Sequence, residues 1–181
     1  MANYNRQKWM DLKHDFMEQI IIEYSTKPCF CYLCGRILDV QNITTISIDH
    51  FIPRAEHDPL KVEIIDNLRP THEECNNLRG SNRVQEKKYF DKNLQAEVHK
   101  YKYKDIHRTT WNIRFAVCRN TSRIEVKICK KLGNGQTSTE NASYDFYGNK
   151  LDKKNVMKYY NHNPANYGKW RKSRGGSDKC R

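Results

Sequence analysis

Two pairs of metal-binding side chains lie in the first half of the chain, and each pair is separated by two residues. Cys31 and Cys34 form the first pair, and His72 and Cys75 form the second. Structural zinc takes four sulfur or imidazole ligands in a tetrahedron, and two short-range pairs supply such a set when the fold brings them together. The spacing predicts one zinc ion held by these four residues. Cys29 competes for the place of Cys31, although its spacing to Cys34 is less usual.

A second group of polar residues could carry catalysis. Because four protein ligands fill a tetrahedral zinc ion, the zinc is expected to be structural, and any reaction needs other side chains. Between the two pairs, the strand-like segment Gln41–Ile48 ends in Asp49-His50 and the chain turns at Pro53. An imidazole near neutrality can take a proton from water when a neighbour orients it. Taken alone, an Asp-His pair at a strand end is more often part of a turn.

Four linked elements, however, resemble the HNH endonuclease family: Cys31-x-x-Cys34, Asp49-His50-x-x-Pro53, Asn67-Leu68 and His72-x-x-Cys75-Asn76. The resemblance covers residues 29–84 and keeps the family's order and spacing. Two features depart from it, since the family usually has cysteine at position 72 and a glycine-rich turn after the proline. The resemblance implies a zinc-stapled ββα-metal module (the His-Me finger) that hydrolyses phosphodiester bonds of DNA and leaves 5′-phosphate and 3′-hydroxyl ends.

The resemblance also implies a role for each residue. His50 is the general base, Asp49 and Asn76 hold one Mg²⁺ or Mn²⁺ ion, and Asn67 supports the loop that aims His50. A carboxylate, an amide oxygen and several waters suit magnesium. Double-stranded DNA is the implied partner. The alternatives are a zinc-stabilised nucleic-acid-binding module without catalysis, or the same chemistry on RNA or branched DNA.

The elements that position these residues can be predicted locally. An amphipathic pattern over residues 5–24 predicts a helix that ends before Pro28 and packs on the module. Asn67–Pro70 has the character of a short second strand. Thr71 and Glu74 form a T-x-x-E capping box, which predicts a helix that runs to about Tyr89.

The second half of the chain has a different character. The segments Trp111–Arg119 and Ser122–Leu132 alternate like strands and predict a hairpin. We predict a loop over 133–143, a short helix over 151–160 and a disordered tail over 166–181. The fold class is therefore predicted as α+β, in four segments: 1–28 (helix), 29–91 (zinc-stapled nuclease module), 92–165 (basic, β-rich DNA-contacting region) and 166–181 (tail).

Positive charge is concentrated towards the carboxyl terminus. The net charge is +12, and residues 92–131 hold 11 basic and 3 acidic side chains, whereas residues 1–91 hold 12 and 14. Such a concentration suggests a nucleic-acid partner, although a solvated basic surface is the simpler explanation. The side chains expected to contact nucleic acid are basic residues near the second zinc pair and in the hairpin region: Arg79, Arg83, Lys87, Lys88, Arg114 and Arg123.

Cysteine use and hydropathy narrow the class of protein. Seven cysteines, an odd number, argue against a disulfide framework. No apolar run has the length of a membrane span, and no export signal is recognised. We therefore expect a cytoplasmic protein of a bacterium or a phage-infected host cell, with no membrane partner and a phage, mobile-element or restriction-type role.

Overall fold

Helices and strands are mixed along the chain in the computed structural model of the protein, which describes residues 2–54 and 62–152. Single-turn 3₁₀ segments lie at Ile43–Thr45, Ile65–Asn67 and Arg119–Thr121. The regular elements, in chain order, are α1 (Ala2–Glu23), β1 (Cys29–Phe30), β2 (Ile37–Leu38), β3 (Ile46–His50), β4 (Leu68–His72), α2 (Glu73–Arg79), β5 (Gln85–Asp91), β6 (Ala96–Lys104), β7 (Thr110–Cys118), β8 (Arg123–Lys131) and β9 (Thr137–Asp145).

Helix α1 matches the helix predicted over residues 5–24, and its apolar stripe is buried. Phe16 and Ile20 pack against Leu68 of β4, with Trp9 and Leu12 partly buried beside them. The hydrophobic face of α1 thus covers the strand that leads to the second pair of metal-binding residues. No helix in the described part of the chain is long and apolar enough to cross a membrane.

The two short strands between the metal-binding pairs form an antiparallel ladder. Strand β3 pairs with β4 so that Ile46 lies opposite His72 and His50 lies opposite Leu68. Both predicted strands therefore exist, but each is shifted towards the carboxyl end of its prediction. Helix α2 follows β4 without an intervening loop. This strand–strand–helix order brings the end of β3 beside α2.

Strands β5 to β9 form a five-stranded antiparallel sheet in sequence order. The predicted hairpin is confirmed, because β7 and β8 pair along their whole length. Two other predictions are wrong. The helix expected to reach Tyr89 ends at Arg79, where Gly80 adopts a positive φ of 59°, and β5 follows. The loop expected over 133–143 is mostly strand β9, an edge strand whose polar, largely exposed residues lack apolar alternation.

The core lies between the cysteine turn at residues 31–35 and one face of the large sheet. Tyr32 and Leu33 pack against the sheet, and the Tyr103 hydroxyl donates a hydrogen bond to the Leu33 carbonyl (3.0 Å). Gly35 has φ +73°, and a Cβ there would lie 2.8 Å from Val126 Cγ1, so the turn requires glycine. The core is continuous across the predicted boundary at residues 91 and 92, which falls at the turn between the paired strands β5 and β6.

The last predicted segments cannot be compared with the structure. The helix expected over 151–160 lies outside the described residues except for its first two positions, and the tail over 166–181 lies wholly outside them.

Candidate functional site

The four predicted zinc ligands meet at one point. The ligand atoms of Cys31, Cys34, His72 and Cys75 all lie within 4.8 Å of one another. Cys34 Sγ is 3.4 Å from His72 Nδ1, and Cys75 Sγ is 3.9 Å from the same nitrogen. Bond lengths of about 2.3 Å for Zn–S and 2.05 Å for Zn–N give tetrahedral edges of about 3.6–3.8 Å. The cluster could therefore hold a metal ion such as zinc without rearrangement of the backbone.

Local structure explains why the four side chains converge. A tight turn brings Cys31 and Cys34 together, with the Gly35 amide donating to the Cys31 carbonyl (2.8 Å). His72 ends β4, and Cys75 lies in the first turn of α2, one helical turn further along the chain. Cys29 is not in the cluster, because it lies in β1 and pairs with Leu38.

The charge state of the cluster also suits a cation. Hydrogen bonds with Cys31 and Cys75 lower the pKa of the Cys34 thiol, whereas burial raises the pKa of Cys31. Without a bound cation, the negative charge of an ionised Cys34 raises the pKa of the neighbouring Cys31 and Cys75 thiols. A divalent cation removes this conflict, because thiolates are the form of cysteine that binds metal.

The capping box predicted at the start of the helix is not formed. Thr71 lies in β4, and its hydroxyl donates to the Ser47 carbonyl across the ladder (3.2 Å). His72 occupies the N-cap position and makes no side-chain cap hydrogen bond. The T-x-x-E pattern failed here because the strand continues through the threonine.

His50 lies at the end of β3, with its ring against a helix that sequence reasoning assigned to packing alone. The His50 and Trp9 rings are 5.0 Å apart between centroids and tilted by 32°. Burial, together with the positive charges of Arg54 and Arg79, lowers the pKa of His50 to about 4. The imidazole is therefore neutral at physiological pH. Its Nε2 is buried and has no hydrogen-bond partner among the described residues.

Asp49 is buried, with both carboxylate oxygens engaged. The Tyr32 hydroxyl donates to Oδ2, and Arg79 Nη1 donates to Oδ1. Burial raises the pKa of Asp49, and the guanidinium and the tyrosine oppose that shift. Each carboxylate oxygen can accept a second hydrogen bond or a metal ion. Any ion held by Asp49 must therefore lie next to Arg79.

Arg79 does not occupy the surface position expected of a phosphate contact. Its side chain is only 1% exposed, because the guanidinium points inward from the last residue of α2. In addition to Asp49, it donates to the carbonyls of His50 (2.7 Å), Phe51 (2.8 Å) and Asn82 (2.9 Å). These bonds use four of the five guanidinium N–H groups, so Arg79 serves mainly the interior, and its contact with nucleic acid stays a prediction.

Two asparagines flank the histidine. Asn67 is buried, and its side chain accepts from the Ile52 amide (2.8 Å) and donates to the carbonyls of Ile52 (3.1 Å) and Val62 (2.9 Å). Asn76 lies on α2, and its amide nitrogen donates to Ser47 Oγ (3.0 Å) and the Ile48 carbonyl (3.3 Å). Asn67 thus fixes the segment after β3, and Asn76 joins α2 to that strand.

These groups line one pocket at the junction of β3 and α2. Its walls include Asp49, His50 and Asn76, together with Ile48, Pro53, Arg54, Arg79, Gly80 and Ser81. The side chain of Arg54 is half-exposed, pairs with Glu63 (2.8 Å) and lies 4.3 Å from the Trp9 ring centroid. The pocket is therefore lined by a neutral imidazole, a carboxylate, an amide and two guanidinium groups.

Sequence reasoning missed three residues of this site. Trp9 was assigned to packing, and Tyr32 and Arg54 were given no role. No local motif identifies them, because their roles arise only when α1 and the cysteine turn fold against β3. The inward-facing apolar stripe of α1 did show that Trp9 faces the interior.

The other predicted nucleic-acid contacts lie around the large sheet. Lys87 and Lys88 are exposed on β5, and Arg83 is exposed just before it. Arg114 on β7 is half-buried and lies 3.4 Å from Asp91. Arg123 is 5% exposed, and its guanidinium donates to Glu125, so it is buried, and its contact with nucleic acid stays a prediction.

Comparison with known proteins agrees with this geometry. Residues 31–82 match the family model described as HNH endonuclease, a span that includes the cysteine pair, the end of β3 and α2. No curated protein and no solved structure shows a significant match to the chain.

Proposed function

We propose that the HNH endonuclease domain of this chain hydrolyses phosphodiester bonds of DNA, with His50 as the base that accepts a proton from the attacking water. An HNH domain indicates nuclease-type activity in general, and such domains act on nucleic acids. The observation that carries the finer proposal is the state of His50. Its ring is neutral, and its Nε2 is unpaired among the described residues beside a pocket that also contains Asp49 and Asn76.

His50 meets the requirements of a general base. Phosphodiester hydrolysis needs an activated water, relief of negative charge on the phosphate and a stabilised leaving oxygen. The neutral imidazole, which lines the pocket, can accept a proton from a water there, while contact with Trp9 restricts the orientation of the ring. Arg54, which lines the same pocket, supplies positive charge towards a bound phosphate.

Asp49 and Asn76 are the residues that would hold the divalent cation. The proposed ion is Mg²⁺ or Mn²⁺, and when bound it supplies positive charge to the phosphate and the leaving oxygen. Asp49 offers the second lone pair of an oxygen that already accepts from Tyr32 or Arg79. The amide nitrogen of Asn76 is bound to β3, which leaves its oxygen for a cation.

The Cys31, Cys34, His72 and Cys75 cluster is proposed to hold structural zinc. Three thiolates and one imidazole match the ligand preference of zinc, and four protein ligands leave no position for substrate. The ion would join the cysteine turn to the β4–α2 junction, and this junction positions Asn76. Together with β3 and β4, this arrangement supports assignment of the segment as a ββα-metal module.

A second function is favoured by one observation. Both oxygens of Asp49 already have partners, and one partner is a guanidinium that repels a cation. A zinc-stapled module that binds nucleic acid without cutting it would have such an arrangement. The two functions differ in one testable respect, which is whether His50 has a chemical role.

Plasmid cleavage distinguishes the two functions. Purified full-length protein is incubated with supercoiled plasmid and Mg²⁺ or Mn²⁺, beside the His50→Ala variant and a sample that contains EDTA. We expect relaxed or linear DNA from the wild type with metal, and intact plasmid in both controls. The product ends are expected to accept a ligase without kinase treatment, since the proposed cut leaves a 5′-phosphate and a 3′-hydroxyl.

Two results would overturn the proposal. Intact plasmid with wild-type protein under every divalent metal, while the protein shifts the same DNA in a gel, would establish the binding module. Equal cleavage by wild type and His50→Ala would show that another group activates the water.

A further inference from the structure

We propose that one face of the five-stranded sheet binds the phosphate backbone of duplex DNA beside the cleaved bond. We call this surface the basic face and define it by the exposed side chains of Lys87, Lys100, Lys102, Lys104 and Lys131, together with Arg114 and Lys127. The identity of the ligand as DNA rests on the proposed function. The affinity of this face for a polyanion is argued from the sheet alone.

Strand register places these residues on a single face. Residues directly opposite one another in an antiparallel sheet project to the same side. Lys87 of β5 lies opposite Lys100 of β6, which lies opposite Arg114 of β7, which in turn lies opposite Lys127 of β8. Four basic side chains therefore form one row across four strands. With neighbouring strands about 4.8 Å apart, the row spans about 14 Å.

The adjacent rows extend the surface along the strands. Lys102 and Lys104 follow Lys100 at steps of two, so they project to the same side. In the outermost row, Lys104 lies opposite Thr110, which lies opposite Lys131. These three rows contain no acidic residue, and their remaining members are neutral polar or cysteine side chains: Gln85, Thr110, Asn112, Cys129, Thr137, Thr139 and Asn141.

Charge is segregated along this face of the sheet. The three acidic side chains on the same side, Asp91, Glu125 and Asp145, all lie in the two rows at the other end. Two of them bind arginines, since Asp91 lies by Arg114 and Glu125 accepts from Arg123. Like charges directly opposite in a sheet are destabilising. Lys87 and Lys100, which lie directly opposite one another, therefore repel, and an external polyanion offsets that cost.

The opposite face of the sheet is already occupied. Tyr101, Ile113, Phe115, Val126 and Ile128 project to that side and pack on the cysteine turn. Five of the six lysines of the basic face, by contrast, are exposed to solvent, and Lys127 is partly buried. Lys87 and Lys100 lie 5.8 and 5.5 Å from the Tyr89 ring centroid, and this contact holds their ammonium groups near the surface.

The basic end of the sheet adjoins the candidate active site. The turn after Lys104 contacts α2, where the Ile106 amide donates to the Leu78 carbonyl (2.8 Å). Asp105 accepts from the amides of His107 and Thr109 and from the Trp111 indole, and these bonds fix the turn. Lys87 lies six residues after Ser81 of the pocket, a chain length of at most about 20 Å. The chain therefore keeps this part of the sheet within about 20 Å of the pocket.

The size of the basic face suits a duplex. Over about 14 Å, a duplex carries about eight phosphates on its two strands, so the seven cations of the face are enough to meet those on the side turned towards the protein. An array of lysines whose three rows contain no acidic side chain is suited to the phosphate backbone and carries no sequence information directly. We therefore infer anchoring of flanking DNA, with no contribution to sequence choice.

Equilibrium binding tests the inference in a background that cannot cut. Full-length His50→Ala protein carrying Lys87→Gln, Lys100→Gln and Lys102→Gln is compared with His50→Ala protein carrying Lys13→Gln, Lys92→Gln and Lys150→Gln. The second set removes the same charge from exposed lysines outside the three basic rows. Fluorescence anisotropy with a labelled 30-base-pair duplex is measured over a range of salt concentrations, after circular dichroism and zinc content establish that each variant is folded.

We expect the first set to lower the slope of log K against log[salt] by about 2–3 and to weaken binding at least tenfold at 0.1 M salt, because each lost phosphate contact removes about 0.9 from the slope. The control set is expected to match the parent. A second variant, Lys104→Gln with Lys131→Gln, is expected to lower the slope by about 2. Equal slopes for the basic-face and control variants would overturn the inference, as would tighter binding to an RNA duplex of the same sequence.

The outcomes separate this inference from the proposed function. Loss of binding in the basic-face variants, together with absence of plasmid cleavage by the wild type, would retain the basic face and reject the nuclease. Cleavage by the wild type with unchanged slopes in all variants would retain the nuclease and reject the basic face.

Discussion

Arg79 and Asp49 form an ion pair in the interior, where their side chains are 1% and 4% exposed. The pair links the last residue of α2 to the residue that precedes the candidate base. The same guanidinium also binds the carbonyls of His50 and Phe51. Arg79 therefore holds both the charge of Asp49 and the backbone that carries His50.

Replacement of Arg79 should destabilise the protein strongly. Arg79→Met leaves the Asp49 carboxylate buried without its cation, and removal of one partner from a buried pair costs about 3–5 kcal/mol. Urea unfolding at saturating zinc measures the change. The matched control is Arg119→Met, which breaks a surface pair with Glu97 whose side chains are 73% and 51% exposed; there we expect a change below about 1 kcal/mol. Equal stability of the two variants would contradict the account of Arg79.

Trp9 should set the pH range in which His50 works. A general base must be neutral, so the rate rises with pH through the pKa of that base, and the pKa of about 4 predicts a flat profile from about pH 5 to 8. Trp9→Leu admits water to the ring, and we expect the acid limb to move towards the ordinary histidine pKa of about 6.5. The pH dependence of kcat/KM on an oligonucleotide duplex is the measurement. An unchanged profile would show that Trp9 has no influence on the base.

The metal cluster should determine whether the module folds. Cys34→Ser should remove zinc and the structure around the cysteine turn, because binding free energy of a structural metal is also folding free energy. His72→Cys should retain zinc, since thiolate is an equally suitable ligand. Cys118→Ser serves as the control, because Cys118 is a buried free thiol outside the cluster. Elemental analysis and circular dichroism report both properties. Folded, zinc-free Cys34→Ser protein would refute the structural role.

Asn67 should act through the position of His50. Asn67→Ala removes three hydrogen bonds that tie the segment after β3 to the residue before β4. We expect a fall in kcat of about tenfold or more with little change in KM, since misplacement of a reacting group by about 1 Å can reduce the rate about 100-fold. Single-turnover cleavage and unfolding measured on the same sample separate misplacement from loss of stability. A change in KM alone would assign Asn67 to substrate binding.

The sequence was most informative where residues close in the chain act together. The two residues of each metal-binding pair lie three positions apart in the sequence, and two such pairs define a metal site once the fold brings them together. The hairpin of β7 and β8 was predicted because its apolar positions alternate against the core. Helix α1 was predicted for the corresponding reason at a period of 3.6 residues.

Long-range contacts explain the errors. Arg79 was predicted to contact nucleic acid because it is a basic residue near the second zinc pair, and only the position of Asp49 30 residues earlier shows why it is buried. Thr71 fits a capping box, but pairing of β4 with β3 uses its hydroxyl instead. Strand β9 lacks an apolar pattern, and its strand character comes from pairing along β8. In each case a tertiary contact overrode a local preference.

The role of His50 as general base is tested most directly by comparing the single-turnover cleavage rates of His50→Ala and wild type. Both proteins are used at saturating concentration on the same duplex, and the zinc content of each is measured. Removal of a general base is expected to reduce the rate by about 10²–10⁴-fold. We expect a loss in that range, with zinc content and duplex affinity unchanged. A rate within about threefold of wild type would contradict it, because the pocket would then cleave without the imidazole at its centre.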